Sequence, residues 1–294
     1  MNFAADNLLP LALVGIMFAL GLTLTFQDLQ RTFESPVIII AALASQTILL
    51  PALALGIAFL FDLAPALGLG LVLIACAPGG STSSLFTHLA RGDMLLATTV
   101  TAASSLTCVV TIPVAIGVAN AVHYRESGFD FMPLLAAAIS LFAAVSLPTL
   151  AGIALNRWQP SIVHRIRRPC FISAVAFFLF VVGWTIYLAR DQISAYIEEA
   201  GSSVLAVNIL AVLCGFAVSI AVRVGPQQRM AIVLQAGMRN AALGIFTAVA
   251  AFHRPEMAFP AAAYGLIQLA TAGILVVAWR HPKAVAGHGG QANR

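Results

Sequence analysis

Of the 294 residues, 61% are hydrophobic and only 9% charged, whereas about a quarter of a soluble domain is charged. Such a chain is solvated mainly by lipid, which excludes a soluble globular domain. The net charge of +4 lies in short loops rather than on a basic face, so no nucleic-acid partner is expected.

Repeated apolar runs of about 20 residues have to be helices, because a backbone in hydrocarbon must satisfy its own N–H and C=O groups. A β-barrel would need short alternating segments, and none occur. The chain opens Met1-Asn2-Phe3-Ala4-Ala5-Asp6-Asn7 with no Lys or Arg, so its first apolar run reads as a retained span rather than a signal peptide. Cutting at charges, Pro and Gly predicts spans at 8–28, 36–61, 66–90, 94–121, 131–156, 169–189, 202–222, 229–253 and 258–280. These are nine transmembrane helices in an all-α integral membrane protein, and an odd number puts the termini on opposite sides.

Arg31, Arg91, Arg157, Arg165, Arg167, Arg168, Arg223, Arg229, Arg280, Lys283 and Arg294 fall in connections on one side. Arg125, Arg190 and Arg254 fall on the other. The positive-inside rule then predicts an outside N-terminus and a cytoplasmic C-terminus. Residues 1–283 read as one polytopic membrane domain, and 284–294, Gly-rich and polar, as a disordered cytoplasmic tail. Cys76, Cys108, Cys170 and Cys214 show no C-x-x-C spacing and no nearby His pair, so no metal site or disulfide framework is expected.

Two spans are interrupted. The third stops at Pro78-Gly79-Gly80 and resumes at Ser81-Thr82-Ser83-Ser84, a helix stop followed by a polar start. The eighth changes from an apolar run to Gln235-Ala236-Gly237-Met238-Arg239-Asn240. An odd offset of five spans makes the two run in opposite directions, the pattern of inverted repeats whose paired discontinuous helices mark a substrate site. Packing kinks are the alternative reading. A half-helix beginning at Ser81 would present unpaired N–H groups and a positive dipole end to an anion, and Asn240 would open a second in the same way. Alternatively, these side chains only satisfy the freed backbone.

Arg239 is the sharpest feature, since a guanidinium at the bilayer centre costs about 2.5–3.5 kcal/mol on insertion scales. All eleven Asp and Glu residues sit at span ends or in loops. Its partners are therefore backbone carbonyls at the break, Gln46 or Gln235, or an anionic ligand. Thr47, Thr98, Thr101, Ser104, Ser105, Gln268 and Thr271 are further intramembrane polar groups of the kind that bond helix to helix. His88, beside the first break, is either a titratable group or an interfacial one next to Arg91. No nucleophile elbow, P-loop or metal-binding helix occurs, and no buried acid could complete a Ser-His-Asp set. The chain does not read as an enzyme.

The runs Gly15-Ile16-Met17-Phe18-Ala19-Leu20-Gly21-Leu22-Thr23-Leu24, Gln46 five residues before Pro51, Cys76-Ala77-Pro78-Gly79-Gly80-Ser81, Ala90-Arg91-Gly92-Asp93 and Gly237-Met238-Arg239-Asn240 together resemble the bile acid:sodium symporter family. The likeness covers nearly the whole chain in order and is to the nine-helix form of a bacterial member. It implies inverted repeats with two crossed discontinuous helices, a core domain (36–121 and 202–281), a panel domain (8–28 and 130–190), and movement of organic anions by alternating access. A bacterial inner (cell) membrane is the implied location. The substrate-binding residues implied are Ser81, Thr82, Ser83, Ser84, Arg239 and Asn240.

The family's cation sites map onto Gln46, Ser83, Ser84, Ala97, Thr101, Gln235 and Arg239. At the first site, Ser83, Ser84, Ala97, Thr101 and Gln235 stand where the family has Ser, Asn, Ser, Thr and Glu. At the second, Gln46 is kept, the shared acid is again Gln235, and a neutral Gln is replaced by Arg239. A sodium ion about 4 Å from a guanidinium is repelled by roughly 4 kcal/mol at an effective dielectric of about 20, a factor near a thousand in affinity. The expectation is a secondary transporter of a small organic anion, not sodium-coupled and without cofactor, with Arg239 as a built-in cation. A sodium symporter with altered ligands and a non-transporting substrate sensor are the alternatives. A monomer in the lipid bilayer is compatible with the sequence.

Overall fold

A computed structural model describes residues 8–25, 27, 36–188 and 190–280; the predicted tail at 284–294 and the chain start at 1–7 lie outside them. The described residues are helical, with no strand among them. In chain order the helices are α1 (Leu9–Gly21), α2 (Pro36–Ala44), α3 (Leu50–Leu60), α4 (Pro65–Cys76), α5 (Ser81–Leu89), α6 (Met94–Ala119), α7 (Phe131–Leu141), α8 (Leu147–Trp158), α9 (Pro160–Leu188), α10 (Arg190–Ala221), α11 (Pro226–Gly237), α12 (Ala241–Phe246) and α13 (Ala258–Arg280). The chain is a multi-pass membrane protein. Six helical runs are long and apolar enough to cross a bilayer: Pro36–Leu60, Met94–Tyr124, Phe131–Trp158, Tyr196–Ala221, Pro226–Ala251 and Pro255–Arg280.

The other predicted spans correspond to α1, to the interrupted pair α4 and α5, and to α9 with its basic first turns. Proline opens α2, α4, α9 and α11, where its fixed φ suits the first turn and its missing N–H would be unpaired anyway. Asp93 caps α6 by accepting from Leu96 N–H at 3.0 Å.

Two boundaries differ from the prediction. Helix α9 begins at Pro160 rather than 169, and α10 at Arg190 rather than 202. Arg165, Arg167 and Arg168 therefore stand on a helix rather than in a connection. Hydropathy marks only the lipid-embedded length, while Arg, Ile and Ala propagate a helix into the aqueous boundary.

Wide π turns interrupt two spans, at Ser45–Leu49 and Phe142–Ser146, and end two others, at Asn120–Tyr124 and Thr247–Ala251. Those at Ser45–Leu49 and Phe142–Ser146 immediately precede the first turns holding Pro51 and Pro148. A proline cannot donate to the carbonyl four residues back and crowds it, and a widened turn relieves both faults.

Connections expected on one side of the membrane do meet in space. Asp93 N–H donates to Gln227 C=O at 3.0 Å, Asn156 Nδ2 to Leu24 C=O at 2.9 Å, Ala64 N–H to Glu199 Oε1 at 3.1 Å and Arg254 Nη2 to Ser127 C=O at 3.1 Å. Between these ends, Pro226–Ala251 is the innermost run. Its hydrophobic window is 89% buried, against 28–50% for the other five.

Helix α1 packs against α8 and α9. The α1–α8 crossing is backbone on backbone: a Cβ at Gly21 would strike the Thr149 carbonyl, and one at Gly152 would strike the backbone of Phe18 and Gly21. Small residues at such crossings are how membrane helices approach closely. Gly152→Val is expected to destabilise the protein by about 1–3 kcal/mol through overpacking, read as a lowered unfolding temperature in detergent. Gly273→Ala, where an added Cβ meets nothing within 4 Å, should leave that temperature unchanged.

Candidate functional site

The two interruptions lie against each other. Helix α4 ends at Cys76 and the chain runs extended from Ala77 (φ −61°, ψ 141°) to Gly80 (φ −103°, ψ 177°) before α5 begins at Ser81. Helix α11 ends at Gly237, Met238 is extended (φ −111°, ψ 116°), and α12 begins after Asn240. Asn240 N–H donates to Pro78 C=O at 2.9 Å, and Arg239 Nη1 donates to Ala77 C=O at 3.2 Å. A Cβ on Gly79 would collide with the Gln235 side-chain oxygen, so only glycine lets the first break approach the second.

Side chains from other spans satisfy the rest of the second break. Gly237 C=O accepts from Asn208 Nδ2 at 3.0 Å and from Tyr264 Oη at 2.9 Å. Thr271 Oγ1 holds Asn208 by donating to its Oδ1 at 2.7 Å. Gln268 Oε1 accepts from Arg239 N–H at 2.6 Å. The sequence reading noted Gln268 and Thr271 only as generic polar groups and missed Asn208 and Tyr264. Asn208, the one amide side chain in the apolar run at 202–222, was the available signal.

Arg239 is 1% exposed. Of its guanidinium nitrogens, Nε and Nη2 have no hydrogen-bond partner among the described residues. The options the sequence left open resolve in part: Nη1 takes a break carbonyl, and no hydrogen bond joins the guanidinium to Gln46 or Gln235. Gln46 lies in the π turn at Ser45–Leu49, is buried, and leaves its own Oε1 without a partner.

Around the first mapped cation site, Gln235 Nε2 donates to Ala97 C=O at 3.0 Å. Thr101 Oγ1 lies 2.9 Å from the same carbonyl and 3.2 Å from Gln235 Oε1, as donor to both. Ser83 is fully buried and donates through Oγ to Gly80 C=O. Ala97, Thr101 and Gln235 thus form one group bonded within itself, while Ser83 bonds separately to the backbone of the first break.

Of the other α5 residues, Ser84 is half-buried and Thr82 exposed. Ser81 opens α5 in a β-to-helix transition that has no side-chain cap on Gly80. Asn240 caps α12 by accepting from Leu243 N–H at 3.1 Å, which leaves its Nδ2 amide as the group available to a ligand. His88 is exposed in the last turn of α5.

A cavity of about 650 Å³ opens between α1, the π turn that follows α7, and the far half of the second broken run. Pro10, Val14, Ser140, Ala144, Phe246 and His253 are among its walls. None of the residues predicted to bind substrate lines it. It sits farther along the run that Asn240 opens, and its only hydrogen-bonding side chains are Ser140 and His253. Tertiary packing alone brings these three segments together, so no local pattern in the sequence marks them.

Two broken helices crossed at their breaks, each satisfying the other's backbone within a multi-pass helical bundle, define the class of discontinuous-helix membrane proteins. The Sodium Bile acid symporter family matches over residues 10–196, and the chain belongs to that family, one of transporters rather than enzymes.

Among curated proteins, the chain is 26% identical over 283 residues to a rice (Oryza sativa) chloroplast protein named "Probable sodium/metabolite cotransporter", covering 94% of this chain and 64% of that one. It is 26% identical to an uncharacterized sodium-dependent transporter of Bacillus subtilis, over 90% of this chain and 80% of that one. Against the hepatic sodium/bile acid cotransporter of rat, identity is 26%, over 94% and 77% respectively. The chain thus spans less than two thirds of the rice protein's length.

The hydrogen bonds at Gly237 give a direct check. Tyr264→Phe should lower stability by about 1 kcal/mol, the net worth of one buried hydrogen bond, and Asn208→Leu by about 2 kcal/mol, since it also removes the acceptor of Thr271. The double variant should cost more than the sum, because it leaves the carbonyl with neither donor; thermal unfolding of the four proteins measures the coupling.

Proposed function

We propose that this chain is a secondary transporter of a small organic anion, working by alternating access and without sodium coupling. In this reading all nine segments cross a bacterial inner membrane, the N-terminus is outside and the C-terminus cytoplasmic. The two crossed runs belong to inverted repeats. Residues 36–121 and 202–281 form a core that moves against a panel of 8–28 and 130–190.

The observation that carries the proposal is the Arg239 guanidinium. It is buried at the crossing of the two breaks, with Nε and Nη2 unpaired among the described residues. An unpaired buried donor is costly, and a charged one more so. A substrate carboxylate reaching the crossing would supply the missing acceptors, joined by Asn240 Nδ2 and the first turn of α5 at Ser81, Thr82, Ser83 and Ser84. The cavity farther along the second run, mostly apolar, suits the body of such an anion.

The coupling follows from charge. Where the family gathers cations around a carboxylate, Gln235 turns an N–H toward the Ala97 carbonyl, so a donor occupies the place of an ion. Arg239 supplies a permanent positive charge at the second position. Sodium coupling with altered ligands is the competing reading, favoured by the names of the relatives.

Counterflow of radiolabelled organic anions in proteoliposomes tests both halves. Exchange should run equally in sodium and in choline; a strong sodium requirement would establish the competing reading, and binding without exchange would mark a sensor. Arg239→Gln should weaken substrate binding about 10- to 100-fold, the worth of a charge-assisted hydrogen bond, and Arg239→Glu should abolish it. Unchanged binding in both variants would remove Arg239 from the site.

A further inference from the structure

A second concentration of charge lies away from the crossing, at the corner between α8 and α9. The chain turns there within one residue: Gln159 N–H donates to Leu155 C=O at 2.8 Å, and Gln159 C=O accepts from Ile162 and Val163 N–H at 3.1 Å each. The last turn of α8 carries Arg157 and the opening turns of α9 carry His164, Arg165, Arg167 and Arg168, so the corner sets four guanidinium groups at one end of two adjoining helices. All four arginines are exposed. Val163, which shares a turn with Arg165 and Arg167, is 2% exposed and anchors the segment against the bundle.

The chain has no Asp or Glu between Asp130 and Asp191, and no ion pair engages Arg165, Arg167 or Arg168 among the described residues. Arg91 and Arg223 instead stand in turns between helices.

The apolar residues beside the cluster are exposed as well: Trp158 at 74%, Ile162 at 48% and Ile172 at 56%. An indole beside guanidinium groups at a helix end is the signature of the boundary between headgroups and acyl chains. The corner is held in place by Asn156 Nδ2, which donates to Leu24 C=O just past α1 at 2.9 Å.

We infer that the α8–α9 corner, with Arg165, Arg167 and Arg168 beside the exposed Trp158 and Ile162, is a binding site for anionic phospholipid headgroups. The guanidinium groups take the phosphates, by paired N–H donors where geometry allows. Trp158 and Ile162 lie against the upper acyl chains. A basic cluster directly flanking a membrane helix is the arrangement that selects anionic lipid, and the apolar rim favours a phospholipid over a soluble polyanion. If the transport reading holds, the site ties the panel to one leaflet while the core moves.

The test is independent of transport. Native mass spectrometry of the detergent-purified full chain, titrated with cardiolipin, phosphatidylglycerol or phosphatidylcholine, should show retention of the two anionic lipids and little of the neutral one. The variant Arg165→Gln/Arg167→Gln/Arg168→Gln should lose anionic-lipid affinity by about a hundredfold, at about fivefold per arginine. The control Arg91→Gln/Arg223→Gln/Arg280→Gln makes the same change of net charge at scattered positions and should lose less than about fivefold. Equal loss in the two variants would reduce the effect to net charge. Undiminished binding in the cluster variant, equal binding of phosphatidylcholine, or displacement of the lipid by equimolar inorganic phosphate would overturn the site. An unfolding temperature matching the wild type certifies each variant as folded.

Discussion

A backbone that stops being helical inside a membrane must find hydrogen bonds elsewhere, and in this chain the two breaks find them largely in each other. Asn240 N–H meets Pro78 C=O, and the Arg239 guanidinium meets Ala77 C=O. Irregular backbone at bilayer depth is tolerated only where it is buried in protein or lines a cavity. That constraint accounts for the near-complete burial of the Pro226–Ala251 run and for the glycine at 79. It also accounts for the ring of Asn208, Tyr264, Gln268 and Thr271 behind the second break. Without those side chains Gly237 C=O and Arg239 N–H would be buried and unpaired, and the crossing would have no fixed shape.

The chemistry of the crossing departs in one direction from the pattern that the resemblance implies. Gln235 uses its amide to bond with Ala97 and Thr101, so a group of residues that the resemblance maps to a cation site is closed by neutral hydrogen bonds. Arg239 adds a charge that nothing in its described surroundings neutralises. Neutral closure at one position and fixed charge at the other act together, because a cation would have to displace hydrogen bonds at the first and would meet the Arg239 charge at the second. This is the physical ground for separating the chain's proposed coupling from that of its sodium-dependent relatives.

The arginine-rich corner shows the same logic at the membrane boundary. Inside, the cost of desolvation forces Arg239 into contact with the break carbonyl. At the boundary, Arg165, Arg167 and Arg168 stand exposed with no ion pair among the described residues, and headgroup phosphate is the acceptor proposed for them. Burial decides which arginine is read as a site residue and which as an anchor.

Composition alone determined that this is a helical membrane protein, because hydrocarbon leaves no other way to pair a backbone. Pro78-Gly79-Gly80 and Gly237-Met238-Arg239-Asn240 marked both breaks, since proline and glycine act on the chain locally. Arg239 stood out from the cost of a charge at bilayer depth. Other features came only from tertiary structure. Helix α9 runs nine residues before its predicted start because hydropathy does not register helix propensity in a polar segment. Asn208 and Tyr264 converge on one carbonyl from spans more than fifty residues apart, and the cavity walls at Val14, Ser140 and Phe246 come from three distant segments. Which polar groups in apolar spans meet, and which stay unpaired like Nε and Nη2 of Arg239, depends on how whole helices pack, and no local pattern encodes that.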